Sequence, residues 1–261
     1  MSTPRTKEVV ALDFDGVVCD SMEECLLVTF LAYDGWRNGV VPSGGQVPQV
    51  PAEFGEYFRT FRYLVRPARE YWIIAHAFAT GAEPLDEARF RRRRLETGPM
   101  SEAFEAAFFT VRRALAIAQP QVWVALHRIY PEFLDGWSEL RQTCAVHIVT
   151  TKDSASLSQL LEAFGLPVPP ERRWPKERCR SKADAVRAIA REEDVPVSTI
   201  RFVDDHPEYL AEVAAIGAQV FWASWGYARD GVLQAAQYPS LRRLRDVLAS
   251  DPAPVMERGS V

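Results

Sequence analysis

Four short apolar blocks punctuate the chain, separated by stretches of longer period. They are EVVALDFD (8–15), CAVHIV before TTKD (144–149), TIRFV before DDHP (199–203) and AQVFWA (218–223). Near-continuous apolar runs rich in β-branched and aromatic residues predict strands buried on both faces. Between the later blocks, SASLSQLLEAFG, SKADAVRAIAREE and HPEYLAEVAAIG repeat apolar residues every three or four positions. The first and third of these stop at Gly165 and Gly217, a helix-stop signal. Strand alternating with helix predicts an α/β fold, a Rossmann-like parallel sheet. A last helix is expected over 240–250 (SLRRLRDVLAS) on the sheet edge, followed by a frayed tail, 251–261.

Residues 21–125 break this rhythm. SMEECLLVTFLAY, AEFGEYFRTFRYLV, AREYWIIAHAFAT, PLDEARFRRRRLE and SEAFEAAFFTVRRALAIA all read as helices, and no convincing strand lies among them. A Gly- and Pro-rich loop is expected at 34–51. The expected organisation is an α/β core of residues 1–20 and 126–261 with an inserted α-helical cap domain of residues 21–125.

Charge narrows the partners. Thirty-one basic against thirty-five acidic residues give a net −4, which supplies no drive toward nucleic acid or an anionic membrane. The basic run Arg89–Arg94 (RFRRRR) has no motif around it and reads as a solvated helix face. No apolar run approaches the ~20 residues of a membrane span. The start, MSTPRTKEVV, shows no hydrophobic signal core. Cys19, Cys25, Cys144 and Cys179 form no CxxC pair, so reduced thiols and a cytoplasmic location are expected.

Ligands of an open parallel sheet bind beyond the carboxyl ends of its strands. Here those ends supply Asp13 and Asp15, Thr150 and Thr151, and Asp204 and Asp205. Buried carboxylates are costly unless paired, protonated or metal-bound. A strand continuing to Asp15 places Asp13 and Asp15 on one face. At ~4 Å they repel by about 4 kcal/mol at an effective dielectric near 20. Clustered carboxylates with hydroxyls suit Mg²⁺, and the lack of soft ligands argues against zinc or iron. Lys182 opens an expected helix, where dipole and ammonium both favour an anion. Metal-binding carboxylates beside an anion site fit phosphoryl transfer.

These motifs resemble the haloacid dehalogenase superfamily of aspartate-nucleophile phosphatases, of the kind with a helical cap after the first strand. DFDGV matches the family's first motif, DxDx[TV], and HIVTT the second; Lys182 in RSKADAV fits the third, and RFVDDHPEYLAEVAAIGA the fourth. DFDGVVCDS and TTK lean toward the phosphoglycolate-phosphatase-like branch. The resemblance implies that Asp13 is the nucleophile, forming an aspartyl-phosphate, and that Asp15 is the general acid and base. It implies that Thr150, Thr151 and Lys182 bind the phosphoryl group. Asp204 and Asp205 are implied to hold Mg²⁺ with Asp13 and the Asp15 backbone carbonyl. An aspartate at position 15 disfavours dehalogenation.

One departure is that Tyr209 stands four residues after Asp205, where other members carry aspartate. Whether Asp204 or Asp205 touches metal directly stays open, and Lys152 is a rival to Lys182, which the spacing favours. Arg62 and Arg66, set among aromatics, are candidates for gripping an anionic part of the substrate. His147 reads as structural, while His206 and Tyr227 are candidates for the rim. The expected activity is Mg²⁺-dependent hydrolysis of a small phosphorylated metabolite, by a monomer or homodimer. The alternatives are a phosphomutase similar to β-phosphoglucomutase and a non-catalytic phospho-ligand-binding protein.

Overall fold

The structure, a computed structural model, describes residues 8–38, 49–81, 84–228 and 237–249. Of the loop expected at 34–51, residues 34–38 instead end the first helix, which runs to Asn38, while 39–48, like the expected tail at 251–261, lie outside the described residues. The chain divides into two compact units, residues 1–20 with 129–261 and residues 21–128.

It opens with β1 (Glu8–Leu12) and the two-residue strand β2 (Cys19–Asp20). The inserted unit then supplies α1 (Met22–Asn38), α2 (Ala52–Phe61), α3 (Tyr71–Thr80), α4 (Glu87–Glu96), α5 (Gly98–Ala118) and α6 (Pro120–Ala125). After β3 (Arg128–Ile129) and α7 (Pro131–Thr143), strands and helices alternate. They are β4 (Cys144–Val149), α8 (Ser154–Ala163), β5 (Arg173–Trp174), α9 (Lys182–Glu192), β6 (Arg201–Asp204), α10 (Pro207–Ala214), β7 (Gln219–Ala223) and β8 (Ser240–Leu241).

Six strands form one parallel sheet in the order β5-β4-β1-β6-β7-β8, the Rossmann-like α/β core expected. In the central register Leu12 lies opposite Ile148 on one side and Val203 on the other, so the three strand ends come level. Every residue of β4 is buried, as are the last four of β1. Val186 and Ile189 of α9 and Leu210 and Val213 of α10 pack on the sheet beside Val9 and Phe202. Burying each such side chain stabilises by about 1.5–3 kcal/mol, which outweighs the weak helix propensity of the short segments.

Three expectations change. β1 ends at Leu12, not at residue 15. The Phe14 carbonyl accepts from the amides of Val18 and Cys19, both at 2.9 Å, so the chain turns instead of extending. Gly16, at φ +92, takes the left-handed conformation that this turn requires. Over its described residues, 240–249, the segment expected as a last helix is β8 followed by a 3₁₀ turn, Leu244–Leu248. Leu244 and Val247 of this turn are both buried, a spacing of three that the 3₁₀ period brings onto one side. Helix α7 was not among the expected elements: Asp135 and Gly136 take non-helical backbone inside it, although buried Phe133, Trp137 and Leu140 keep the i, i+4, i+7 spacing of a helix.

The inserted unit is helical with an aromatic interior. Phe58, Tyr71 and Phe108 stack in series at 5.5 and 5.3 Å. Glu24, fully buried, receives Nε and Nη2 of Arg112 at 2.7 Å each, and Trp123 Nε1 at 3.3 Å. The basic run lies on α4, where Arg89 pairs with Asp86 and Arg91 with Glu87 at the exposed surface. No described helix is long and apolar enough to cross a membrane.

Candidate active site

The level ends of β1, β4 and β6 decide which side chains meet. Asp13 follows β1 directly; its amide donates to the Val203 carbonyl of β6 at 2.9 Å, which ties the two strand ends together. Its Oδ1 accepts from the Phe14 amide at 2.7 Å. Asp204 closes β6 and Asp205 follows it. One oxygen from each of Asp13, Asp204 and Asp205 lies within 4.8 Å of the others, and all three residues are buried.

Lys182, the first residue of α9, reaches this cluster. Its Nζ sits 2.7 Å from Asp13 Oδ2 and 2.7 Å from Asp204 Oδ2. Ser181 caps the helix by accepting from the Asp184 amide at 3.1 Å, so the lysine leaves from a fixed helix start. Tyr209 packs its ring 4.0 Å from the ammonium. The position that carries aspartate in other members of the resembled family is here a cation–π partner of Lys182.

Burial raises the Asp13 carboxyl to about 7, with Asp204 and Asp15 adding to the rise and Lys182 opposing it. Burial also pushes Asp204 up to about 6, with Lys182 opposing and Asp205 adding. For Lys182, burial alone lowers the pKa, but attraction to Asp13 and Asp204 outweighs it and holds the ammonium firmly charged. Such a cluster holds protons that a cation would displace.

Asp15 departs from this group. Its carboxylate faces Lys152, whose Nζ lies 3.3 Å from Asp15 Oδ1 and whose side chain is wholly buried. The expectation that Asp13 and Asp15 share one strand face fails because β1 stops first. Thr150 is buried at the end of β4; its amide donates to the Trp174 carbonyl at 2.9 Å, and its Oγ1 accepts from the Lys152 amide at 3.1 Å. Thr151 beside it is half-buried.

Two glycines shape the pocket around Asp205. A side chain on either Gly16 or Gly226 would collide with the Asp205 side chain, so both positions admit only glycine. Asp205 Oδ2 accepts from the Tyr227 amide at 2.8 Å, and Trp225 Nε1 donates to the Val17 carbonyl at 3.0 Å. Sequence reasoning marked Tyr227 but missed Gly16, Trp225 and Gly226. A small-residue turn directly after a strand of the sheet was the available signal. His206 is buried and caps α10, its Nδ1 accepting from the Glu208 amide at 3.2 Å. His147 lies within β4, bonded to Glu193 at 2.9 Å and to Trp174 Nε1 at 3.1 Å.

Arg62 and Arg66 lie in the helical unit. Arg62 is buried, donates from Nη1 to the Val65 carbonyl at 3.3 Å and rests over the Tyr71 ring at 5.2 Å. Arg66 sits between two 3₁₀ turns, as its place before Pro67 predicts, and its amide donates to Glu70 Oε2 at 3.0 Å.

The donor set fits a divalent cation. Asp13, Asp15, Asp204 and Asp205 with Lys152 and Lys182 leave two net negative charges when all are ionised, and every carboxylate donor is a hard oxygen.

No protein-family model matches the chain, and no curated protein does. Solved structures do. A predicted phosphoglycolate phosphatase from Haemophilus somnus aligns over 95% of this chain and 99% of its own, at 15% identity and TM-score 0.64. A putative haloacid dehalogenase-like hydrolase from Bacteroides fragilis covers 92% and 99% at 15% identity and TM-score 0.59. A haloacid dehalogenase-like family hydrolase from Streptococcus pneumoniae covers 94% and 98% at 17% identity and TM-score 0.55. The chain shares its fold with these haloacid dehalogenase-like proteins over 92–95% of its length.

Proposed function

We propose that the chain is a phosphomonoester hydrolase acting through an aspartyl-phosphate on a small phosphorylated metabolite. The observation that carries this reading is the cluster of Asp13, Asp204 and Asp205 with Lys182 placed between Asp13 and Asp204. The phosphatases and hydrolases named among its structural neighbours support it.

Asp13 attacks phosphorus, and its new O–P bond replaces the ester O–P bond. Asp15 gives its proton to the departing oxygen. A water then attacks the phosphoryl group and returns a proton to Asp15, and the Asp13–phosphorus bond breaks to release inorganic phosphate. Lys182 and Thr150, with Thr151, bind the phosphoryl oxygens. Mg²⁺, when bound, neutralises charge on the phosphoryl group as it transfers. Asp13, Asp205 and the Asp15 carbonyl are the proposed ligands. Asp204 is a further candidate; like Asp13, it already receives Lys182 on one carboxylate oxygen and a backbone amide, that of His206 at 2.8 Å, on the other. The helical unit, which leaves the core five residues after Asp15, is the proposed source of substrate selection. Arg66, its side chain 26% exposed, suits an anionic leaving group better than the buried Arg62.

The test is phosphate release from a panel of phosphorylated metabolites with Mg²⁺, using Asp13→Asn as control. Wild type is expected to release phosphate from at least one ester, and the variant to lose at least ~10³-fold in kcat, since an amide neither attacks phosphorus nor binds metal as an anion. Wild-type rates in Asp13→Asn would end the reading. Isomerisation needing a bisphosphate primer, with little phosphate released, would turn it into a mutase.

A further inference from the structure

Two buried lysines face three of the four aspartates. Lys182 contacts Asp13 and Asp204, whereas Lys152 contacts Asp15. We propose that Lys152 is a positioning residue that holds the Asp15 carboxylate in the orientation from which it exchanges protons with the leaving oxygen and then with water. The inference rests on the phosphatase reading above and adds to it a residue which that reading leaves without a role.

Burial makes the pairing specific. The Lys152 side chain is 0% exposed, and an ammonium there is costly without an opposite charge. The ammonium also starts from a fixed backbone. The Lys152 amide donates to Thr150 Oγ1 at 3.1 Å, and its carbonyl accepts from the Lys176 amide at 3.1 Å. The next residue, Asp153, caps α8 by accepting from the Ser156 amide at 2.9 Å. One loop thus anchors a phosphate-binding threonine, a helix start and the lysine.

Asp15 needs such a restraint because it has left the sheet. It lies in the turn after β1, bridged to Cys19, with the Gly16 amide donating to the Cys19 carbonyl at 2.9 Å. A carboxylate in a turn has rotamers that a strand would forbid. The neighbouring Asp13 carboxylate repels it, and the contact with the Lys152 ammonium selects the rotamer facing the end of β4. Proton transfer rewards that selection, because a group already aligned reacts as part of one molecule.

The test compares kcat/KM for p-nitrophenyl phosphate and for the best alkyl phosphate of the panel, with Mg²⁺, in wild type, Lys152→Met, Asp15→Asn and the double variant. An alkoxide leaves poorly without a proton, whereas p-nitrophenolate leaves readily. Lys152→Met is therefore expected to cost the alkyl ester about 10²-fold, the low end of what a placed acid–base group supplies, and the aryl ester several-fold at most. In the Asp15→Asn background, adding Lys152→Met is expected to change neither ester by more than about two-fold, the non-additivity of residues acting as a unit. Where Lys152→Met fails to fold, Lys152→Gln is expected to give the same split. Equal losses on both esters, or full additivity with Asp15→Asn, would overturn the positioning role while leaving the phosphatase reading intact. A wild-type protein that hydrolyses neither ester would overturn both.

Discussion

The core and the helical unit both bury charge, but they balance it differently. Among the described residues of the helical unit, both buried carboxylates have arginine against them. Glu24 takes a two-point contact from Arg112, and Glu70 takes Arg94 Nε at 2.9 Å with Arg66 nearby. At the strand ends of the core, four aspartates stand against two lysines. A balanced buried pair specifies packing; an unbalanced cluster is a site that expects another cation. The sign of the imbalance, more than the number of charged residues, separates scaffold from chemistry in this molecule.

The largest stability effect should come from breaking the balanced pair. Arg112→Met leaves Glu24 buried without its guanidinium, a loss of about 3–5 kcal/mol for a pair of this kind. Thermal denaturation should fall by roughly 6–20 °C at ~2–4 °C per kcal/mol for a chain of this size. A shift of a degree or two would mean that the pair is not what holds α1 to α5.

Neutralising the unbalanced cluster should act in the opposite direction. Asp13 sits at about 7 and Asp204 at about 6, both raised above 3.8 chiefly by burial. The folded, metal-free protein therefore holds protons that the unfolded chain releases. This stabilisation is complete below about pH 4 and is lost as pH rises through 6 and 7. Mg²⁺ should restore it, so the melting difference with and without Mg²⁺ should widen from pH 5.5 to pH 8 by about 1–3 kcal/mol at saturating metal. Asp13→Asn should flatten the metal-free pH dependence and melt higher than wild type at pH 8. A Mg²⁺ effect that shrinks with rising pH would contradict the proton–metal exchange.

How far the sequence reaches depends on the distance over which a signal acts. The run at 144–149 reads correctly because this strand, buried on both faces, is apolar at every position but His147, and both of its ends are apolar. Asp13–Phe14–Asp15 imitates the alternation of a strand, and only the hydrogen bonds of the Phe14 carbonyl reveal the turn. The aspartates and Lys182 were legible because strand ends and helix starts are local features that the sheet then brings together. Lys152 with Asp15, and Glu24 with Arg112, pair across 137 and 88 positions, and nothing in either local sequence encodes the partner. The two glycines beside Asp205 read as ordinary turn residues until the carboxylate they accommodate is placed.

The proposed reaction requires an Asp13 carboxylate oxygen to receive the phosphoryl group. Rapid acid quench during turnover of the best panel ester with Mg²⁺, followed by peptide mapping by mass spectrometry, tests this directly. One phosphoryl group should appear on the peptide containing Asp13, should be absent from Asp13→Asn, and should accumulate further in Asp15→Asn turning over p-nitrophenyl phosphate, whose leaving group needs no proton while water is no longer activated. Steady phosphate release from wild type with no phosphorylated Asp13 peptide at any quench time, or a phosphoryl group on another residue, would contradict it.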